Sequence, residues 1–241
     1  MLDLKDKLII ALDVDTLEKA QKFVELLLPK VKFFKVGSQL FTACGPEAVK
    51  MIEKKGGQVF LDLKFHDLPN TVFASVCSST ALGMTTVPAG KNLEMFESGY
   101  VFMITVHTQG GIDIMKAAVR GAQETSKELN IKKPYIVGVT VLTSDEGENL
   151  TELVLDRARL AQEAALDGVV CSVHEAAAVR KACGKDFIIV TPGIRPKGAK
   201  ADDQKRTATV QEAIAAGADY IVVGRPILEA KDPLKAVEEL I

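Results

Sequence analysis

The sequence has no tryptophan, and aromatic residues fill only 5% of its 241 positions. It contains no apolar run of the roughly 20 residues that a membrane-spanning helix needs, and its charged first residues lack the apolar stretch of a signal peptide. Its four cysteines are scattered without a Cys-x-x-Cys pair, which argues against a structural metal site. We therefore expect a cytoplasmic protein with reduced thiols, no metal site and no membrane association.

An excess of charge of one sign is also missing, because 30 basic residues nearly balance 32 acidic ones. The net charge of −2 argues against a protein that binds nucleic acid. No linker rich in proline, glycine or serine and no block of charge divides the chain. The sequence thus predicts one domain over residues 1–241, long enough to bury a substantial core.

Eight short runs rich in β-branched residues predict strands, and the amphipathic segments between them predict helices. The predicted strands are Leu8–Val14, Val31–Gly37, Gln58–Phe65, Val101–Thr108, Tyr135–Leu142, Gly168–Val173, Phe187–Thr191 and Tyr220–Gly224. Most are continuously apolar, which is typical of parallel strands covered on both faces. Eight strand–helix units favour an α/β fold of the (β/α)8 TIM-barrel type, with a doubly wound open sheet as the alternative. In either fold the active site lies beyond the carboxyl ends of the strands.

Two helix starts carry local signals. Asp15-Thr16-Leu17-Glu18 resembles a capping box with an acidic first residue. Asp232 is expected to cap the last helix, with Pro233 at its first helical position.

Charged side chains gather where the third predicted strand ends. Asp62 and Lys64 are two residues apart, so on a strand they point to the same side, and Asp67 follows in the turn. Burying an acid and a base costs several kcal/mol per ion unless the geometry is very good. This cost indicates a chemical role. The other predicted strand ends carry Asp13, Lys35, His107, Thr140, Thr143, Arg195, Gly224 and Arg225.

Most of these residues also have a structural interpretation. Asp13 could simply end its strand, Lys35 could form a structural ion pair, and Asp67 could cap the helix ahead of Pro69. His107 is better explained as a hydrogen-bonded barrel histidine than as a catalyst.

The loops after the seventh and eighth predicted strands have the features of an anion site. Barrels often bind phosphate there, and Gly224-Arg225 combines close backbone approach with a bidentate cation. Arg195 opens a polar loop that could bring Gln204 onto the same anion. The alternatives are a tight turn beside a surface charge and an ordinary solvated loop.

The chain resembles the orotidine 5'-monophosphate decarboxylase family in its bacterial monofunctional form. The segments that carry the resemblance are Ala11–Asp13, Phe34–Gly37, Asp62–Thr71, Val139–Ser144, Thr191–Arg195, Asp203-Gln204 and Val222–Arg225. The resemblance implies a carboxy-lyase of pyrimidine biosynthesis that converts orotidine 5'-monophosphate (OMP) to UMP and CO2 without a cofactor.

The resemblance also implies a role for each matching residue. Lys64 would donate a proton to C6 of the pyrimidine, and Lys35, Asp62 and Asp67 would complete an array of alternating charge. Asp67 and Thr71 would reach the neighbouring subunit's site, which requires a homodimer with shared active sites. Arg195, Gln204, Gly224 and Arg225 would bind the 5'-phosphate. The implied substrate contacts in full are Asp13, Lys35, Asp62, Asn70, Thr71, Thr143, Arg195, Gln204, Gly224 and Arg225.

One segment departs from the family pattern. Residues 84–100 look inserted between the third helix and the fourth strand, on the face opposite the expected site. We expect an extended loop or an added turn there, without a catalytic role.

Two other functions stay open. A Mg²⁺-dependent sugar-phosphate decarboxylase or aldolase of the same superfamily would need an additional acid after the second strand, where Lys35–Gln39 has none. The other is a catalytically inactive nucleotide-binding barrel, against which the intact set of Lys35, Asp62, Lys64 and Asp67 argues.

Overall fold

Eight parallel strands close into a barrel in the order in which they occur along the chain. The computed structural model describes residues 4–82, 101–145, 147, 149–196 and 206–240. The strands are β1 Leu8–Ala11, β2 Phe33–Gly37, β3 Gln58–Phe65, β4 Val101–His107, β5 Tyr135–Val139, β6 Gly168–Val170, β7 Ile188–Thr191 and β8 Tyr220–Val223. The predicted (β/α)8 barrel is confirmed, and the open-sheet alternative is wrong.

Helices connect the strands around the outside of the barrel. They are α1 Leu17–Leu27, α2 Ser38–Cys44, α3 Pro46–Lys54, α4 Pro69–Thr80, α5 Ile112–Leu129, α6 Leu150–Glu163, α7 Val173–Cys183, α8 Val210–Ala215, α9 Arg225–Leu228 and α10 Pro233–Glu238. Within the described residues, no helix is both long enough and apolar enough to cross a membrane. Residues 84–100, where the insertion is expected, lie outside the described residues.

Several strands end earlier than their apolar runs predict. β1 stops at Ala11 and β5 at Val139, whereas the runs continue to Val14 and Leu142. Burial continues past the strand ends, since Leu12 is fully buried although it lies beyond the end of β1. An apolar run in the sequence therefore indicates which residues are buried, and it overestimates the length of the strand.

The predicted helix starts differ in outcome. At α10, Asp232 accepts a hydrogen bond from the backbone N–H of Lys235, and Pro233 is the first helical residue, as predicted. At α1 the cap is Thr16 rather than Asp15, because the Thr16 hydroxyl accepts from the N–H of Lys19. Asp15 instead forms an ion pair of 2.7 Å with the Lys19 ammonium.

Aromatic rings fill the barrel at the amino ends of its strands. Phe33 packs against Phe102 with ring centroids 4.5 Å apart, and Tyr220 lies 5.7 Å from both rings. We call these three residues the aromatic floor. Above them the interior continues with smaller apolar side chains, among them Ala11 and Val222. The space inside the barrel is thus left at the carboxyl ends, where the charged residues are.

Candidate active site

A cavity of about 420 Å³ opens at the carboxyl ends of the strands. This volume is within the usual range for sites that bind small molecules. Its lining comes from the ends of β1–β3 and β5–β8 and from the segments that follow them. The polar residues in the lining are Asp13, Lys35, Asp62, Lys64, Thr143, Ser144, Arg195 and Arg225.

Four of these side chains form a row of alternating charge along one wall. The Lys35 ammonium lies 3.0 Å from Oδ1 of Asp13 and 3.7 Å from Oδ2 of Asp62. The Lys64 ammonium lies 2.8 Å from the same Oδ2 of Asp62. The structure therefore places Asp62 and Lys64 in direct contact on the cavity wall.

The middle of this row is withdrawn from water. The side chains of Lys35 and Asp62 are each 12% exposed, whereas that of Lys64 is 36% exposed. Burial opposes the charge on Lys35, but the carboxylates of Asp62 and Asp13 outweigh it and raise the pKa of Lys35 above its ordinary value. Burial likewise opposes the charge on Asp62, but Lys35 and Lys64 outweigh it and lower the pKa of Asp62. The row consequently holds two ammonium groups around one buried carboxylate.

An irregularity in β3 brings Lys64 to this position. The pairing of β3 with β4 shifts register between Leu61 and Phe65, and Lys64 adopts a left-handed backbone conformation with φ of 51°. Thr105 of β4 fills the gap, since its hydroxyl accepts from the N–H of Lys64 and donates to Oδ1 of Asp62. Sequence reasoning missed Thr105, whose only signal is its inward position on the fourth strand.

Glycines let the backbone approach the charged row closely. A Cβ atom at Gly37 would lie 2.8 Å from the Lys35 ammonium, so a side chain there would displace that ammonium. A Cβ atom at Gly224 would lie 3.3 Å from the Cβ atom of Ala11 and 3.5 Å from Oδ2 of Asp13. Glycine at positions 37 and 224 therefore leaves room for the side chains of the charged row.

Of the residues predicted to bind an anion, Arg195, Gly224 and Arg225 line the same cavity. Gly193 and Arg195 line it after β7, and Gly224 and Arg225 line it after β8. The Arg195 side chain is largely buried, with the residue 8% exposed, and its Nη1 donates to the carbonyl of Ile194. Gln204, predicted to join them, lies outside the described residues. Thr143 lines the cavity after β5.

Asp67, Asn70 and Thr71 do not line this cavity. Asp67 is exposed, and its carboxylate accepts a hydrogen bond from the N–H of Leu68. Leu68 is the N-cap residue of α4, and no side chain of the described residues caps this helix. Asn70 and Thr71 line a separate apolar groove of about 640 Å³. The other residues of this groove are Phe41, Leu63, Phe65, Ala74, Ser75, Ser78 and Ser79.

His107 also lies apart from the cavity lining. Its Nδ1 accepts from the N–H of Gln109, and its ring stacks on His66 with centroids 5.5 Å apart. Partial burial and the neighbouring His66 lower the pKa of His107. These contacts agree with the interpretation of His107 as a hydrogen-bonded barrel histidine.

No group of three or more His, Cys, Asp or Glu side chains is arranged to hold a metal ion in the described parts of the chain. The donor set of the cavity is instead made of ammonium, guanidinium, carboxylate and hydroxyl groups. Such a set can bind an anionic ligand at one end and stabilise developing negative charge at the other.

Residues 6–240 match the model of the orotidine 5'-phosphate decarboxylase / HUMPS family. The chain is 44% identical to an orotidine 5'-phosphate decarboxylase of Syntrophotalea carbinolica, over 100% of this chain and 96% of that protein. It is also 44% identical to the protein of that name from Moorella thermoacetica, over 98% of this chain and 91% of the other. Among solved structures, the orotidine 5'-phosphate decarboxylase of Lactobacillus acidophilus superposes with a TM-score of 0.79 at 34% identity, covering 98% of this chain and 97% of that one. The chain therefore belongs to the orotidine 5'-phosphate decarboxylase / HUMPS family.

Proposed function

We propose that this protein decarboxylates OMP to UMP and CO2 in pyrimidine biosynthesis. The observation that carries the proposal is the row of alternating charge that ends at the Lys64 ammonium, inside a cavity that Arg195 and Arg225 also line. The names of the relatives give independent support.

The row suits the chemistry of this reaction. Loss of CO2 leaves an electron pair on C6 of the pyrimidine, with no carbonyl group placed to delocalise it. The Lys64 ammonium can stabilise that charge as it develops and then donate a proton to C6. Because Asp62 already holds the ammonium at 2.8 Å, little reorganisation is needed when the charge forms.

Binding of the 5'-phosphate is assigned to the segments after β7 and β8. Arg195 and Arg225 supply cationic groups, and Gly224 leaves its backbone accessible. We assign Gln204 to the same group and Asp13 and Thr143 to the ribose and pyrimidine. Phosphate binding far from C6 can supply energy that lowers the barrier at the reacting carbon.

We further propose a homodimer with shared active sites. Asp67 and Thr71 do not line their own chain's cavity, and Leu68 between them is 72% exposed. The apolar groove beside Thr71 offers a surface on which a second copy can bury such residues. In that arrangement Asp67 extends the partner's charged row beyond Lys64, and Asn70 and Thr71 contact the partner's substrate.

Neither alternative function is favoured by the relatives or by the site. The additional acid that a Mg²⁺-dependent enzyme of the superfamily would need after β2 is absent from the sequence Lys35–Gln39. The deciding experiment follows OMP by absorbance, with enzyme dialysed against EDTA and with enzyme supplied with Mg²⁺. We expect equal conversion to UMP in both. No conversion of OMP in either would overturn the proposal and leave the rival enzyme and the inactive barrel, which turnover of a sugar phosphate with Mg²⁺ would distinguish.

A further inference from the structure

A buried ion pair lies outside the lining of the cavity. It joins the carboxylate of Glu175, in the first turn of α7, to the guanidinium of Arg206. The side chains of Glu175 and Arg206 are only 5% and 11% exposed. The two residues are 31 positions apart in the sequence, and neither lines the cavity.

Stability alone is a weak reason for such a pair. Removing two charges from water is costly, and replacing a buried ion pair with apolar residues of similar volume often leaves stability equal or higher. Compensation is incomplete here, because in the described structure neither terminal nitrogen of Arg206 gains a hydrogen bond in addition to the ion pair. The start of α7 favours the carboxylate but does nothing for the guanidinium.

The chain that follows Arg206 leads directly to the site. Two residues on, Ala208 pairs with Ile194, which is fully buried. The N–H of Arg195 donates to the carbonyl of Ala208 at 2.9 Å, and the N–H of Ala208 donates to the carbonyl of Gly193 at 3.3 Å. The segment 206–208 is therefore the support on which the backbone of Arg195 rests as it enters the cavity.

We infer that Glu175 is a positioning residue for anion binding: through its ion pair with Arg206 it holds segment 206–208 against 193–195 and thereby sets where the Arg195 guanidinium stands. This inference rests on the proposed function, in which the anion beside Arg195 is the 5'-phosphate of OMP. Glu175 itself touches neither the cavity nor the substrate in this scheme.

The test uses Glu175→Gln, which keeps the shape of the side chain and removes its charge. Arg206 then lies buried without its anion, and the support of Arg195 loosens. We expect KM for OMP to rise between about 10-fold and about 100-fold, the range expected for a displaced binding group, while kcat changes much less. The Kd of UMP, measured by calorimetry, should rise in parallel.

A double-mutant cycle separates positioning from a merely structural role. With Arg195→Ala in place, Glu175→Gln should change KM by less than about twofold, because nothing is left to position. Equal effects of Glu175→Gln in both backgrounds would overturn the inference, as would an unchanged KM in the single variant. If wild-type protein fails to convert OMP at all, the proposed function itself is wrong, which is a different result from either.

Two further variants control for folding. Glu175→Gln combined with Arg206→Met leaves no lone buried charge, so we expect its Tm to recover while the high KM persists; recovery of both would overturn the inference. The matched control is Arg180→Met, which breaks an ion pair of 2.6 Å with Asp219 near the opposite end of α7. That variant should lower Tm and leave the KM for OMP unchanged, and a KM as high as that of Glu175→Gln would count against a role specific to Glu175.

Discussion

Replacing Lys64 by alanine and by glycine tests chemistry and backbone strain at the same residue. Its φ of 51° lies in the left-handed region, which costs an L-residue with a side chain roughly 1–2 kcal/mol. Lys64→Ala keeps that cost, whereas Lys64→Gly removes it. Glycine also makes the unfolded chain more flexible, which offsets about 0.5–1 kcal/mol of the gain. The glycine variant should therefore be more stable than the alanine variant by about 0.5–1 kcal/mol.

Both variants should lose nearly all activity, because each lacks the ammonium group. General acid catalysis alone contributes between about 10²-fold and about 10⁴-fold, so we expect kcat to fall by at least about 10³-fold when charge stabilisation is lost too. Asp62 keeps Lys35 and Thr105 as partners, so both proteins should fold.

Urea unfolding and an absorbance assay of OMP conversion provide the two measurements. Lys22, exposed in the middle of α1, offers a matched control. There the order should reverse, with glycine less stable than alanine by about 1 kcal/mol. The same order at both positions would refute the strained conformation of Lys64. Near-normal turnover in either Lys64 variant would refute its catalytic role.

Three further predictions concern other parts of the molecule. Burial raises the pKa of Glu53 to about 8, so between about pH 4.5 and pH 8 the folded state holds a proton that the unfolded state has lost, and stability falls as pH rises. Glu53→Gln should therefore change Tm little below pH 4.5. At pH 8 it should raise the free energy of unfolding by about 1–2 kcal/mol, a gain that is limited because the Glu53 side chain remains partly in contact with water. A larger gain at pH 4.5 than at pH 8 would contradict this. Arg225→Ala should raise KM for OMP with little change in Tm, and unchanged kinetics would remove Arg225 from the phosphate site. Mixed Lys64→Ala and Asp67→Ala proteins should regain activity through hybrid dimers, and no recovery after proven subunit exchange would contradict shared sites.

The parts of the fold that the sequence predicts are those with a local signal. All eight strands were expected near their observed positions because parallel barrel strands are buried on both faces and leave continuous apolar runs. The charged wall was predictable for a related reason, since the barrel brings every strand's carboxyl end to one rim. Asp13, Lys35, Asp62 and Lys64 could thus be grouped without any knowledge of their contacts.

The missing parts depend on contacts between residues that are distant in sequence. Nothing near Glu175 indicates that it meets Arg206, and nothing near Thr105 indicates that it joins Asp62 to the backbone of Lys64. The left-handed conformation of Lys64 has no signal either, because glycine or asparagine would normally mark it. The role of Asp67 depends on a second copy of the chain, so it stays a prediction.

The aromatic floor fills the amino ends of the described barrel, and the cavity opens at the carboxyl ends. Phe33, Phe102 and Tyr220 pack against one another across the interior of the described barrel, so a ligand that enters at the carboxyl ends is expected to leave by the same end. In the proposed reaction, both products, CO2 and UMP, leave the cavity at this end. CO2 released at the charged row therefore has to leave past UMP or after it, so the order of product release depends on how tightly Arg195 and Arg225 bind the nucleotide.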